Sequence, residues 1–294
     1  MFGHCLDSLS PTSSLSVTTR NSAAPSSRAP LTTCTGHSRT PPRPRAPTTR
    51  SSRSSAASAT RSSPASTRNW ARNLHVLRRA AAEFLGTMLL VTAVVGSGIM
   101  GERLAAGNVA LALLANTLAT GAALVFLIFT FGPISGAHLN PVVSLAAAMQ
   151  RELKLTELPA YLLAQVTGGT TGTVLAHLMF TLPPLALSTH TRATPGELLA
   201  EMVAAGGLVF VILSCARTAQ SHVPFIVAAY IMSAYWFTSS TSFANPAVTI
   251  ARSLSDTFAG IRPADVPGFV TAQFLGAFLA TYLFRWFAKS PASS

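Results

Sequence analysis

The chain has 294 residues, of which 49% are hydrophobic and only 10% are charged, and its mean hydropathy is +0.43. This composition excludes an ordinary soluble domain and indicates a membrane protein. Three scattered cysteines do not make a disulfide framework or a metal site. The sequence also lacks a Ser/His/Asp set, a metal-ligand cluster and a phosphate-binding loop, so neither an enzyme nor a bound cofactor is expected.

The first 72 residues form a basic tail. They are rich in Ser, Thr, Pro, Ala and Arg, and they hold ten arginines and one acid, so they carry nine of the chain's net +12 charges. Because residues 1–72 show no apolar periodicity, they are predicted to be disordered. Two interpretations are open: an arm that binds anionic lipid or nucleic acid, or an extension absent from the native protein. The second, a gene-calling artefact or a dispensable extension, is favoured because residues 1–72 lack the apolar core of a signal peptide. No Met occurs between Met1 and Met88, but translation could begin at another codon, read here as Leu74, Val76 or Leu77, just before the first apolar run. No nucleic-acid partner is expected.

Six apolar runs follow the tail. A helix needs about 20 mostly apolar residues to cross a bilayer. The predicted spans lie near residues 80–100, 107–131, 158–181, 197–217, 222–238 and 267–288. Two further segments, about 140–149 and 245–254, each begin with Asn-Pro and are too short to cross.

Charges that flank the spans predict the orientation of the chain, since Lys and Arg accumulate on the cytoplasmic side. If the N-terminus is inside, seven basic residues lie at inner ends and four at outer ends. The inner set is Arg78, Arg79, Arg151, Lys154, Arg217, Arg285 and Lys289, and the outer set is Arg103, Arg192, Arg252 and Arg262. The sequence therefore predicts a multi-pass protein of the inner (plasma) membrane with both termini in the cytoplasm.

The two Asn-Pro segments belong to an internal repeat. They read SGAHLNPVVSL and STSFANPAVTI, and their asparagines, Asn140 and Asn245, are 105 positions apart. Each half of the apolar region, about 80–181 and 197–288, holds three predicted spans. Because three is odd, the halves must enter the membrane in opposite directions, and such inverted repeats place their site near the midplane.

Local chemistry makes each Asn-Pro the start of a helix. Asn is a strong N-cap, and Pro is well tolerated in the first turn, where its missing N–H would have no partner. Each short helix is about 15 Å long at 1.5 Å per residue, so the two N-termini meet near the midplane. Non-helical backbone at that depth must be covered by protein or line a wet cavity, and the arrangement therefore predicts a pore.

These features resemble the aquaporin and glycerol-facilitator channels over residues 80–288. The resemblance implies an all-α membrane protein with six transmembrane helices and two re-entrant half-helices, and a homotetramer in which each protomer has its own pore. It also implies that the motifs Asn140-Pro141-Val142 and Asn245-Pro246-Ala247 turn their asparagine amides toward the permeating molecule.

The resemblance also assigns supporting residues. Glu83 and Glu201 occupy equivalent places in the two halves, where they would brace the re-entrant loops rather than relay protons. His138 would lie at the cytoplasmic mouth, either as a gate or as part of the loop packing.

One departure from the family concerns the selectivity filter. Most members have an arginine three residues after the second Asn, whereas this chain has Val248 there and Arg252 four residues later. Counting without gaps places the remaining filter positions at Thr120, Ser233 and Ser242, with Phe243 as the alternative to Ser242. This set predicts a wide, uncharged filter, and Arg252 would either form a cationic ring in the outer vestibule or extend to the membrane interface.

The expected function is a passive channel for small uncharged solutes, namely water and glycerol-like polyols. The stretch FANPAVTIARSLSDTFAGI resembles channels associated with bacterial arsenic resistance, which adds arsenite, as As(OH)₃, to the expected cargo. Two alternatives stay open: a strictly water-selective aquaporin and an ion-coupled secondary transporter of the inverted-repeat type.

Overall fold

The computed structural model describes residues 64–288, and within them all regular structure is helical. The α-helices are α1 Pro64–Leu104, α2 Val109–Ser135, α3 Pro141–Met149, α4 Leu158–Met179, α5 Pro195–Thr218, α6 Val223–Phe237, α7 Pro246–Arg252 and α8 Val266–Phe287. Single 3₁₀ turns at Gln220–His222 and Pro263–Asp265 precede α6 and α8. Residues 1–63 of the tail that was predicted to be disordered lie outside the described residues. Residues 64–72, which belong to the same predicted tail, are helical.

The six long helices and two short ones confirm the predicted fold class. Each short helix begins at the proline that follows an Asn, and the Asn side chain accepts a hydrogen bond from the first turn. In α5, Thr194 and Glu197 form a reciprocal capping box. Local sequence therefore sets these helix starts.

Four stretches of the described residues are long and apolar enough by themselves to cross a membrane: 73–104, 109–135, 195–218 and 263–287. The predicted third and fifth spans correspond to α4 and α6. Helix α4 has 22 residues, but Gln165, Thr173 and His177 make it more polar, and all three are buried. Helix α6 has only 15 residues, and the 3₁₀ turn before it extends the helical segment.

Packing between helices repeats in the two halves. Helix α1 packs against α2 and α4, and α5 packs against α6 and α8 in the same way. Each half-helix also contacts the last helix of the other half, α3 with α8 and α7 with α4. The half-helices therefore join the two halves of the repeat.

Glycines let the paired helices approach backbone to backbone. A Cβ atom at Gly172 would clash with the carbonyl oxygen of Met88, and one at Gly276 would clash with that of Met202. Such close contacts between small residues are typical of helix packing in lipid, and here they bring α1 against α4 and α5 against α8.

Candidate functional site: a pore between two half-helices

The two asparagines at the starts of α3 and α7 bond reciprocally to the opposite loop. Asn140 Nδ2 donates to the carbonyl oxygen of Ala244 at 2.8 Å, and Asn245 Nδ2 donates to that of Leu139 at 2.8 Å. Both asparagines line one cavity. Because a side-chain amide carries two N–H donors, each retains one N–H beyond these bonds, which can be offered to a molecule in the cavity.

The loops before the two half-helices contain residues in the left-handed region, where a side chain other than Asn or Gly is disfavoured. Leu139 has φ 50° and Ala244 has φ 48°, and two positions earlier Ala137 and Ser242 have φ 46° and 49°. The same conformation at equivalent positions indicates that both loops follow one path, which turns their carbonyl and amide groups toward fixed partners.

Buried carboxylates hold the amides of both loops. Glu83 accepts hydrogen bonds from the backbone N–H groups of His138 at 3.0 Å and Leu139 at 2.7 Å. Glu201 accepts from those of Phe243 and Ala244, both at 2.8 Å. Charge-assisted bonds of this kind are stronger than neutral ones, so they can offset the cost of the left-handed residues. Neither carboxylate is among the residues that line the cavity.

Two glutamines complete these networks, and the sequence analysis assigned them no role. Gln165 Nε2 donates to Glu83 at 2.8 Å and to Ser144 Oγ at 2.8 Å. Gln273 Nε2 donates to Glu201 at 2.6 Å and to Thr249 Oγ1 at 2.8 Å. Their equivalent positions in the repeat were the signal that could have revealed the role.

The cavity has a volume of about 800 Å³ and passes from His138 at one end, past both asparagines, to Arg252 at the other. Most of its wall is apolar, with Leu, Val and Ile side chains from α1, α2, α5 and α6. Polar side chains interrupt this apolar wall, among them those of His138, Asn140, Asn245, Thr120, Tyr235, Ser242 and Arg252. A molecule in the cavity therefore meets both apolar surface and hydrogen-bonding groups.

At the first end of the cavity, His138 both lines the space and packs into the loop. Its Nδ1 lies 3.1 Å from Ser144 Oγ, and its ring centroid lies 5.3 Å from that of Tyr161. Arg79 forms an ion pair with Glu157 at 2.5 Å and lies over the Tyr161 ring. The contacts of His138 fit loop packing, and its place on the cavity wall fits gating, so both interpretations stay open.

At the other end, three of the four predicted filter residues line the cavity: Thr120, Ser242 and Val248. The assignment of Ser233 was wrong. Its hydroxyl bonds within α6 to the carbonyl of Ala229, and the residue is exposed outside the cavity. Tyr235 lines the cavity instead, with its hydroxyl 3.3 Å from that of Thr120.

The error has a geometric cause. Residues 233 and 235 differ by about 200° around a helix, so a shift of two positions exchanges an outer residue for an inner one. Counting backward from Asn245 assumed a fixed length for the segment 238–244, and that length determines which face of α6 reaches the pore.

Arg252 lies in the cavity wall rather than at the membrane interface. Its side chain is only 3% exposed, its Nε donates to the carbonyl oxygen of Ala259, and its Cζ lies 3.4 Å from the centroid of the Phe243 ring. This burial contradicts the predicted extension of Arg252 to the membrane interface. The alternative, a cationic group in the outer vestibule, and the wide filter at Val248 stay predictions. Helical side chains point back toward the N-terminus, so Arg252 reaches toward the level of Val248, one turn earlier. Phe243, the alternative filter residue, also lines this end.

Comparisons with known proteins show the family of this chain. The family model described as Major intrinsic protein matches residues 70–239, more than half of the chain. The chain belongs to the major intrinsic protein family. Aquaglyceroporin AqpS from Rhizobium meliloti (strain 1021) is 57% identical to this channel over 209 residues, which cover 71% of the chain and 89% of that relative.

Two other comparisons cover different shares of the proteins. Aquaporin NIP1-4 from Oryza sativa subsp. japonica is 33% identical over 147 residues, and the match spans about half of each protein, 49% of this chain and 52% of the relative. The X-ray structure of the aquaglyceroporin from Plasmodium falciparum matches with a TM-score of 0.59 at 21% identity, covering 71% of this chain and 95% of that one. The similarity to this solved structure shows the fold of the chain.

Family membership and fold establish the class of the protein. The chain is a multi-pass membrane channel for small uncharged solutes and is not an enzyme, as the sequence predicted.

Proposed function

We propose that this channel passes glycerol-like polyols and arsenite, as As(OH)₃, in addition to water. The observation that carries the proposal is Val248, a small apolar residue that lines the cavity. It stands at the filter position, which the family resemblance implies to be the narrow end of the pore and to hold an arginine. The 57% identical relative is named an aquaglyceroporin, which supports passage of polyols. A neutral hydroxylated solute can exchange its water contacts for the polar groups on the wall.

The same geometry opposes cations. The N-termini of α3 and α7 both begin at the asparagines in the cavity wall, and each helix N-terminus is equivalent to roughly half a positive charge. A cation at this level is repelled by both helices, whereas a neutral solute is not. This supports a passive channel over an ion-coupled transporter.

We further propose that the channel is a homotetramer with one pore in each protomer, in the inner (plasma) membrane with both termini in the cytoplasm. The excess of Lys and Arg at the inner ends of the spans supports the orientation. Native mass spectrometry of the detergent-solubilised channel tests the assembly, and a monomeric mass would contradict it. Protease protection of a C-terminal tag in right-side-out vesicles tests the orientation.

The solute range is tested by stopped-flow light scattering on proteoliposomes that contain the wild type or Val248→Arg. We expect the wild type to pass water, glycerol and arsenite. In Val248→Arg, the larger side chain fills the narrow end, so glycerol and arsenite flux should fall at least about tenfold while water still passes, a barrier change of roughly 1.4 kcal/mol.

Val248→Ala is the matched control, because it changes the same position without adding volume or charge, and it should keep all three fluxes. Passage of water alone by the wild type would contradict the proposal and favour the strictly water-selective alternative.

A further inference from the structure

The guanidinium group of Arg252 carries donors that the protein does not use. Its Nε is bonded to the carbonyl oxygen of Ala259. Within residues 64–288, neither Nη atom donates to a protein acceptor, and Arg252 takes part in no ion pair. Since a guanidinium has five N–H donors, four of them are left for molecules in the cavity that this residue lines.

An aromatic neighbour, Phe243, holds this group in one place. Its Cζ lies 3.4 Å from the centroid of the Phe243 ring, and the Cζ of Arg192 lies 5.3 Å from the same centroid. Arg192 is fixed in turn, because its Nε donates to the carbonyl of Gly260 at 2.9 Å and its Nη1 donates to that of Ser240 at 3.3 Å. The donors of Arg252 are therefore pre-organised, which lowers the entropy lost when they bind a solute.

A second observation points to a ligand at the same end. Ser242 lines the cavity and is only 2% exposed, yet its Oγ has no hydrogen-bond partner among the described residues. A buried hydroxyl without a partner is costly. A solute or a water molecule at this end can supply the partner.

We propose that Arg252 is the solute-selecting residue of this channel and that, with Ser242, it binds two neighbouring oxygen atoms of a passing neutral solute. The inference rests on the proposed function and adds the chemistry that is recognised. The guanidinium is a planar fork of parallel donors, so it pairs best with two close oxygens, as in a vicinal diol or a trihydroxide. A solute with a single oxygen can satisfy only half of the fork.

The position of Arg252 explains how this residue can act at the filter although the usual position is Val248. Because its side chain points back along α7, the guanidinium stacks on Phe243, which precedes the half-helix. This end of the pore therefore combines the small side chain of Val248 with the N–H donors of Arg252, which belongs to the next helical turn. The pore is wider here than it would be with an arginine at position 248, and it still selects solutes by hydrogen bonding.

The test compares ethylene glycol with acetamide, which have equal numbers of non-hydrogen atoms but two oxygens and one oxygen, respectively. Proteoliposome fluxes of both solutes and of water are measured for the wild type, Arg252→Met and Arg252→Lys. We expect Arg252→Met to lower the glycol-to-acetamide flux ratio about tenfold, since hydrogen bonds to a charged group are lost. Arg252→Lys, which keeps the charge but not the fork, should give a ratio between the two.

Arg103→Met is the matched control. Arg103 also stacks on a phenylalanine, with its Cζ 5.2 Å from the Phe180 ring centroid, but it is exposed and does not line the cavity. The glycol-to-acetamide flux ratio of Arg103→Met should equal that of the wild type. An unchanged ratio in Arg252→Met with normal water flux would overturn the proposal, and a wild-type ratio in Arg252→Lys would overturn recognition by the fork.

The failure of this inference is distinguishable from failure of the proposed function. If the wild type passes neither glycol nor acetamide while it conducts water, the proposed solute range is wrong. If it passes both and the ratio does not depend on residue 252, the solute range stands and Arg252 has only a structural role.

Discussion

At the scale of single residues, the pore depends on carboxylates that the permeating molecule does not touch. Glu201 accepts two backbone N–H bonds from the loop before α7 and a third bond from Gln273. An ionised group inside a membrane protein is costly unless it is paired or hydrogen-bonded. Here the bonds to the loop fix the carbonyl of Ala244, which in turn accepts from Asn140.

We predict that Glu201→Gln lowers the apparent melting temperature of the channel in detergent. An amide has one acceptor oxygen and would direct its own N–H donors toward the N–H groups that the carboxylate binds, so the expected loss is about 3 kcal/mol. Differential scanning fluorimetry measures the change. Glu102→Gln is the control because Glu102 is exposed and accepts only one long bond, 3.3 Å, from Phe258. Equal melting temperatures for Glu201→Gln and the wild type would refute the bracing role.

At the scale of helices, close backbone contact between α5 and α8 positions the second loop. Gly206 and Gly276 face one another, and a Cβ atom at Gly206 would lie 2.9 Å from the carbonyl oxygen of Gly276. Glu201 and Gln273, which bond to each other across the same pair of helices, depend on this short separation. Packing of α5 against α8 and the loop network are therefore coupled.

We predict that Gly276→Ala forces α5 and α8 apart and destabilises the channel by about 1–3 kcal/mol, as overpacked cores do. Gly132→Ala is the control, because a Cβ atom there meets nothing within 4 Å and alanine favours a helix over glycine. Thermal unfolding and the yield of assembled protein in detergent measure both variants. If the two variants unfold at the same temperature, close contact at Gly276 is not needed.

At the scale of the whole molecule, the two halves form one pore because each contributes to the other. Helix α3 packs on α8 and α7 packs on α4, and the asparagine of each half bonds to the loop of the other. The buried carboxylates do not line the cavity in the described part of the chain. A transporter coupled to ions needs a group that binds the ion on the solute's path, and these carboxylates are not placed for it.

We predict that solute flux is driven by the solute gradient alone. Glycerol uptake into proteoliposomes should be the same with and without a proton or sodium gradient, and ionophores should not change it, because neither ion is bound during passage. Stopped-flow measurements under the imposed gradients test this. Uptake against a glycerol gradient, or its loss when an ionophore is added, would favour the coupled transporter.

The amino-acid sequence by itself determined the fold, the two half-helices and the aligned glutamates, because Asn capping, Pro in the first turn and apolar run length act locally or repeat along the chain. Tertiary structure decided which side chains form the narrow end. Tyr235 replaced Ser233 because the rotation of α6 depends on the path of the loop that follows it. Arg252 lies in the pore wall because Phe243 and Ala259, brought to it by the folding of separate loops, hold its guanidinium there.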